Sequence, residues 1–284
     1  MELLRILVTL ALVVIGLILL SGMVVLNREQ LRQTRDELGI RLRTALPFVG
    51  LLGGVLAFNA IFRGEAHEVS WWIGFEITPM IMNIEGEFVA RLQDVLLSGP
   101  ATVFFSFIYV YGYVFLLVFP IIAYFMMRRL ATFKSLTVAY AANYGIGLLL
   151  YIIFIALGPR NYITDVVAQP MYTEYPDFQL LTSQINEYSN VFPSLHTSLS
   201  ATVMLFAWRT RETFPRWMPL AMFIGSAVIL STMYLAIHWL VDVIAGLGLA
   251  FVSYSLGIWA IEGEFTWPSP KSAWAKLRES ARRT

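Results

Sequence analysis

Apolar residues in this chain run in long blocks rather than alternating with polar ones, and the blocks repeat along most of its 284 residues. Windows of about 19 residues pick out helices over 3–26, 45–62, 101–126, 135–158, 194–208, 218–237 and 239–261. A helix needs about 20 apolar residues to cross the hydrocarbon layer. The fifth block is short and the last two are parted only around His238, so the pattern gives six or seven spans. The run 3–26 is roughly twice as long as the apolar core of a signal peptide, and no small-x-small cleavage site follows it. It is expected to remain as the first span.

Segment 65–97 reads differently. Trp71, Trp72, Phe75, Met80, Ile84 and Phe88 alternate with Glu68, Glu76, Glu85 and Glu87 at helical spacing. That pattern predicts one or two amphipathic helices, either lying in the membrane interface or packed on the bundle. The fold class expected is therefore all-α: a polytopic transmembrane bundle with interfacial helices. It divides into N-terminal spans and an outer segment (1–100), a membrane core (101–261) and a basic tail (262–284).

Composition supports this picture. Hydrophobic residues make up 58% and charged residues 14%, against about 45–50% and 25% in a soluble domain. A formal charge of +1 argues against nucleic acid as a partner and leaves membrane lipids as the expected one. The absence of cysteine removes disulfides, thiolate metal sites and cysteine nucleophiles. Sixteen of the twenty basic residues fall in 27–44, 127–134, 209–217 and the tail after Trp267. Segments 63–100 and 159–192 hold three basic and ten acidic residues. Short cytoplasmic loops are enriched in Lys and Arg, so these two segments are expected outside the cytoplasm.

The chain has three histidines. His196 lies in Phe192-Pro193-Ser194-Leu195-His196-Thr197-Ser198, at the start of the fifth block. Pro193 suits the first turn of a helix, which would place Ser194, Leu195 and His196 where free amides and the positive dipole end favour a phosphate. His238 ends the sixth block, four residues before Asp242, a spacing that shares one helix face. A carboxylate there can hold Nδ1–H and leave Nε2 as a nucleophile. Ionisable groups at membrane depth are uncommon and usually functional, and the topology puts both histidines on one membrane face. His67, between Glu65 and Glu68, reads as a solvated side chain.

The pair of segments Pro193-Ser194-Leu195-His196 and Ser231-Thr232-Met233-Tyr234-Leu235-Ala236-Ile237-His238-Trp239-Leu240-Val241-Asp242 resembles the second and third motifs, P-S-G-H and S-R-x5-H-x3-D, of the type 2 phosphatidic acid phosphatase superfamily. The resemblance covers roughly 135–261. It implies that His238 attacks phosphorus to form a phospho-histidine, that Asp242 orients it, and that His196 protonates the leaving oxygen. Ser194, Leu195 and the helix-start amides would hold the phosphoryl oxygens. No metal or other cofactor is called for.

Three positions depart from the family pattern. Thr232 stands at the third motif's arginine and Leu195 at the second motif's glycine. Of the first motif, K-x6-R-P, only Arg160 is present, in Gly158-Pro159-Arg160-Asn161, with Ile153 at the lysine position. A phosphate monoester is close to a dianion at neutral pH, whereas a diester carries one charge and needs fewer cations. The pattern therefore leans toward head-group transfer between lipids. It is similar to the inositol phosphorylceramide synthase branch, with a lipid phosphate or polyprenyl diphosphate phosphatase as the alternative. A proton-coupled transporter, a two-histidine, one-aspartate metal site and a non-enzymatic scaffold are further readings of the same residues. In the outer loop, Tyr162, Gln169, Tyr172 and Asn190 are candidates to touch substrate.

Overall fold

A computed structural model describes residues 2–183 and 191–263 of the chain. The N-terminal part comprises α1 (Glu2–Val25), a short α2 (Arg28–Asp36) and a long α3 (Leu38–Ile73). The outer elements follow: β1 (Phe75–Glu76), α4 (Thr78–Glu85) and α5 (Phe88–Leu96). The next rod is continuous, α6 (Gly99–Phe107) passing through a π-helical turn (Ile108–Gly112) into α7 (Tyr113–Phe125). After α8 (Ala131–Ile153) and β2 (Phe154–Ile155) come three short helices, α9 (Pro159–Tyr162), α10 (Pro170–Glu174) and α11 (Pro176–Ser183). The last three helices are α12 (Leu195–Arg209), α13 (Trp217–Tyr234) and α14 (Leu240–Glu262).

Among the described residues six helices are long and apolar enough to cross a membrane: Leu3–Val25, Leu38–Phe62, Gly99–Phe125, Ala131–Ile153, Trp217–Tyr234 and Leu240–Glu262. The 15-residue α12 is shorter than the hydrocarbon layer, at about 1.5 Å per residue. It nonetheless runs alongside α14 between two tied ends. At one end the Ser194 amide donates to the Asp242 carbonyl at 3.0 Å. At the other, Arg209 pairs with Glu262 at 2.6 Å. Because α8, α13 and α14 sheathe it, α12 can carry the hydroxyls of Thr197, Ser198, Ser200 and Thr202, all buried. Asn143 of α8 meets that stripe, donating to Thr202 Oγ1 at 3.1 Å and accepting from Ser198 Oγ. Lipid tails are as apolar as leucine, so close packing and such polar contacts, rather than water exclusion, bind membrane helices together.

Two sequence expectations change. The second span ends at Phe62 as expected, but its helix continues to Ile73 and stops at Gly74, whose amide donates to Ser70. The pattern at 65–73 is helical because it continues the helix of that span; periodicity reports helix but not where one helix ends and the next begins. Trp71 and Trp72 thus sit on the end of α3, while α4 and α5 form the separate amphipathic helices. The fourth span ends at Ile153, short of 158, because Phe154–Ile155 extends and pairs in parallel with Phe75–Glu76. The side chain of His67, along with Asn190 and the tail 264–284, lies outside the described residues.

Buried polar straps hold the outer elements over the bundle. Gln93 of α5 donates to the carbonyls of Ala168 (3.0 Å) and Tyr234 (2.7 Å) and accepts from the Ala168 amide (2.9 Å). Thr78 accepts from the Leu157 amide at 3.0 Å, and the Trp239 indole donates to the Leu157 carbonyl at 2.7 Å. Replacing Gln93 with Leu would leave two carbonyls and an amide buried without it, at about 1–3 kcal/mol per stranded group. Gln93→Leu is expected to lower the thermal unfolding midpoint in detergent by several degrees. An unchanged midpoint would show that α5 is not held by this residue.

Candidate active site

The two histidines meet because two helix starts lie side by side. Ser194 caps α12, its Oγ accepting from the Thr197 amide at 3.2 Å. Pro193 precedes the cap, so it sits one step ahead of the first turn expected for it. Leu195 and His196 are then the first residues of α12, where amides have no intrahelical acceptor. Trp239 precedes α14, and Asp242 is the third residue of that helix. His238 therefore lies just outside the helix rather than on one of its faces.

The expected pair forms all the same. Asp242 Oδ2 accepts the Trp239 amide at 2.9 Å and faces His238 Nδ1 at 3.4 Å. One carboxylate oxygen so caps α14 and orients the imidazole. The 3.4 Å separation is at the long limit of a hydrogen bond, as catalytic contacts often are before substrate binds. His238 and Asp242 are both buried. The rings of His196 and His238 stand 5.9 Å apart, centroid to centroid. Burial, and then the positive charge of Arg160, hold His238 well below the usual imidazole range, down to about 3, with a hydrogen bond to the Val191 backbone opposing them. The ring is thus neutral, the state a nucleophile requires.

Arg160 stands in α9, reached through a tight backbone approach. Its amide donates to the Ala236 carbonyl at 2.9 Å, and any Cβ at Gly158 would run into the Ile237 carbonyl. Ala236 itself takes a left-handed φ of 54°, a conformation that costs a non-glycine residue about 1 kcal/mol. The Arg160 guanidinium donates to Tyr172 Oη at 2.6 Å and stacks 4.8 Å from that ring's centre. Gln169 donates to the Arg160 carbonyl at 3.3 Å, and Tyr162 packs edge-on against Trp239. Three of the four outer-loop candidates therefore surround Arg160 and Trp239. Among the described residues, no three His, Asp or Glu side chains are grouped to hold a metal ion.

A family model described as the PAP2 superfamily matches residues 83–256, more than half of the chain. The chain belongs to the PAP2 superfamily. No curated protein and no solved structure matches it. Membership places the chain among lipid phosphatases and phosphotransferases, and the matched region reaches N-terminally past residue 135 to include α5 and the end of α4.

In this PAP2 superfamily member three further residues bear on the site. Tyr109 stacks on His196 at 4.8 Å and Tyr113 lies against the same ring at 4.5 Å. Tyr109 belongs to the π-helical turn and Tyr113 follows it directly. Such turns reset which residues face inward and recur at functional sites. The third is Glu85, whose Oε2 accepts the Val241 amide at 3.0 Å across the start of α14. Burial raises its pKa, the Leu240 and Val241 amides oppose that, and Asp242 adds to the rise. The sequence marked Glu85 only as the polar face of an amphipathic segment.

Leu195, where the family has glycine, is accommodated by glycine elsewhere: a Cβ at Gly147 of α8 would collide with the Leu195 side chain. Gly147→Ala is expected to cost about 1–3 kcal/mol, and adding Leu195→Ala should recover most of it. Additive losses in unfolding experiments would show the two sites to be uncoupled. Glu85 gives a second check. A raised folded pKa means that its stabilising contribution is full below the unfolded carboxyl pKa and is lost as pH rises through the folded value. Glu85→Gln should therefore match or exceed the parent in stability at pH 7–8, while Glu85→Ala loses about 1 kcal/mol with the cap. The reverse order in unfolding midpoints would contradict this role.

Proposed function

We propose that this protein transfers a phosphate-bearing head group from one lipid to another through a covalent intermediate on His238. The observation that carries this reading is the constellation itself: two imidazoles 5.9 Å apart, one of them backed at Nδ1 by a buried aspartate.

In the first half-reaction, Nε2 of His238 attacks phosphorus of the donor lipid. The P–N bond forms as the bond from phosphorus to the lipid alcohol breaks, and His196, protonated as the anionic donor binds beside it, gives its proton to that leaving oxygen. Asp242 stabilises the positive charge that grows on His238. Leu195 and His196 amides at the start of α12, with Arg160, receive the phosphoryl oxygens. Ser194 holds the turn by accepting the Thr197 amide at Oγ, which leaves its hydroxyl hydrogen to donate to a phosphoryl oxygen. In the second half-reaction, an acceptor hydroxyl attacks phosphorus and passes its proton to the neutral His196. The P–N bond breaks, and both histidines return to their starting states.

Charge selects the substrate class. Arg160 is the cation that the described residues place beside the imidazoles, and Thr232, at the family's arginine position, is fully buried with its hydroxyl bonded to the Ile229 carbonyl at 2.8 Å. One cation and a few amides suit a singly charged phosphodiester better than a monoester dianion. A phosphoinositol-type head group is the transfer we favour. The bias of Lys and Arg puts this site at the extracytoplasmic face.

The test is a mass-spectrometric assay of the purified protein with phosphatidic acid, a polyprenyl diphosphate and phosphatidylinositol, each with and without a lipid alcohol. A new head-group-bearing lipid that forms only with acceptor is the expected result. Free phosphate from the first two substrates, without transfer, would overturn the transferase reading. In the same assay His196→Ala and His238→Ala should abolish turnover, and Asp242→Asn should lower it by about 10²-fold or more with the fold intact. Arg160→Ala is expected to act mainly on apparent substrate affinity. Tyr172→Phe should do the same more weakly, by releasing the guanidinium. Normal turnover in any of the first three would refute the assigned roles.

A further inference from the structure

At the end of the bundle opposite the histidines lies a second concave site. It is a cavity of about 460 Å³ lined by Glu37, Ile40, Arg41, Thr44, Arg128, Arg129, Leu130, Ala131, Lys134 and Ile261. Four basic side chains and one acidic side chain share it. Arg41 is spoken for: it is buried, donates to the carbonyls of Phe125 (2.9 Å) and Met127 (2.7 Å), and contacts Glu37 at 2.9 Å. Its partners neutralise its charge and end α7.

The other three cations have no such partner. Arg128 and Arg129 are exposed and make no ion pair among the described residues, and Lys134 has only a ring face, that of Phe48, at 5.2 Å. They sit around the N-terminus of α8, where no side chain caps the first turn, so its amides face the same space. The rim on the α3 side is apolar and outward-facing, with Ile40, Leu42 and Leu46 all more than half exposed.

We propose that this cavity binds the head-group phosphate of an anionic phospholipid, with the acyl chains lying along α3. Basic pockets between membrane helices are suited to such head groups. The apolar rim leads from the cations to the lipid-facing flank of α3, as a tethered phosphate requires and a free one does not. The chain beyond α14 leaves beside the cavity at Ile261, but residues 264–284 carry five basic and two acidic side chains and so do not complement it. This site is independent of how the histidines are read.

The experiment is native mass spectrometry of the full chain carrying His238→Gln, so that lipid is not turned over, with equal amounts of phosphatidylglycerol and phosphatidylcholine of matched acyl chains. Preferential retention of phosphatidylglycerol is expected. It should fall by about tenfold or more when Arg128→Gln and Arg129→Gln are added, two surface cations being worth at least that. An unchanged preference in that folded variant overturns the proposal. So does displacement of the lipid by millimolar inorganic phosphate, which would make it a free-phosphate site. A photoactivatable phosphatidylglycerol gives a second measurement on the chain with Arg128 and Arg129 in place. Labelling within 128–134 or the first turns of α3 supports the site, and labelling confined to the histidine end overturns it.

Discussion

The amide of Ser194 donates to the carbonyl of Asp242, and this cross-helix bond sets the register of α12 against α14. Everything chemical in the molecule follows from that register. It places the first residues of α12, with their open amides, beside the first turn of α14. It brings His196 within 5.9 Å of His238. It also explains why Asp242 is buried although carboxylates are costly inside a membrane protein: its carbonyl anchors one helix, while its carboxylate caps another and faces an imidazole. A residue with three simultaneous duties leaves little freedom to the backbone around it.

The remainder of the fold holds that junction closed from outside. The loop 235–239 is fastened by the Thr232 carbonyl, which accepts the amides of Ile237 and His238, and by the Trp239 indole bond to Leu157. Gln93 and Glu85 fasten the outer helices α5 and α4 to the ends of α13 and α14. By contrast, α1 and the span of α3 bury only 11% and 6% of their apolar windows. Those helices turn most of their surface outward, and their contribution near the site is the packing of Ile6 of α1 in the cluster that holds Tyr109.

Much of this was legible in the sequence, for identifiable reasons. A membrane core announces itself because apolar runs of 20 residues have no other common use, and all six long spans were found within a few residues at most ends. His238 and Asp242 were legible because a four-residue spacing brings side chains together whether a helix includes both or starts between them. Arg160 was legible because cations are few outside the basic loops. What the sequence could not give were contacts between elements. Nothing in Tyr109 or Tyr113 says that a π-helical turn aims them at His196, since π and α turns share a composition. Glu85 looked like any acid on an amphipathic face. Leu195 looked like a departure from pattern until Gly147 was seen opposite it. The length of α3 was misjudged because helical periodicity does not mark where one helix ends and the next begins.

The central claim is that His238 becomes covalently attached to phosphorus while His196 handles the proton. It is tested most directly by acid-free rapid quench of the purified protein with a phosphodiester lipid in the absence of acceptor, followed by peptide mass mapping. This account expects a head-group phosphate adduct on His238, stable to base and labile to acid, that disappears when an acceptor alcohol is added. Turnover without any adduct, or an adduct carried on His196, would contradict it.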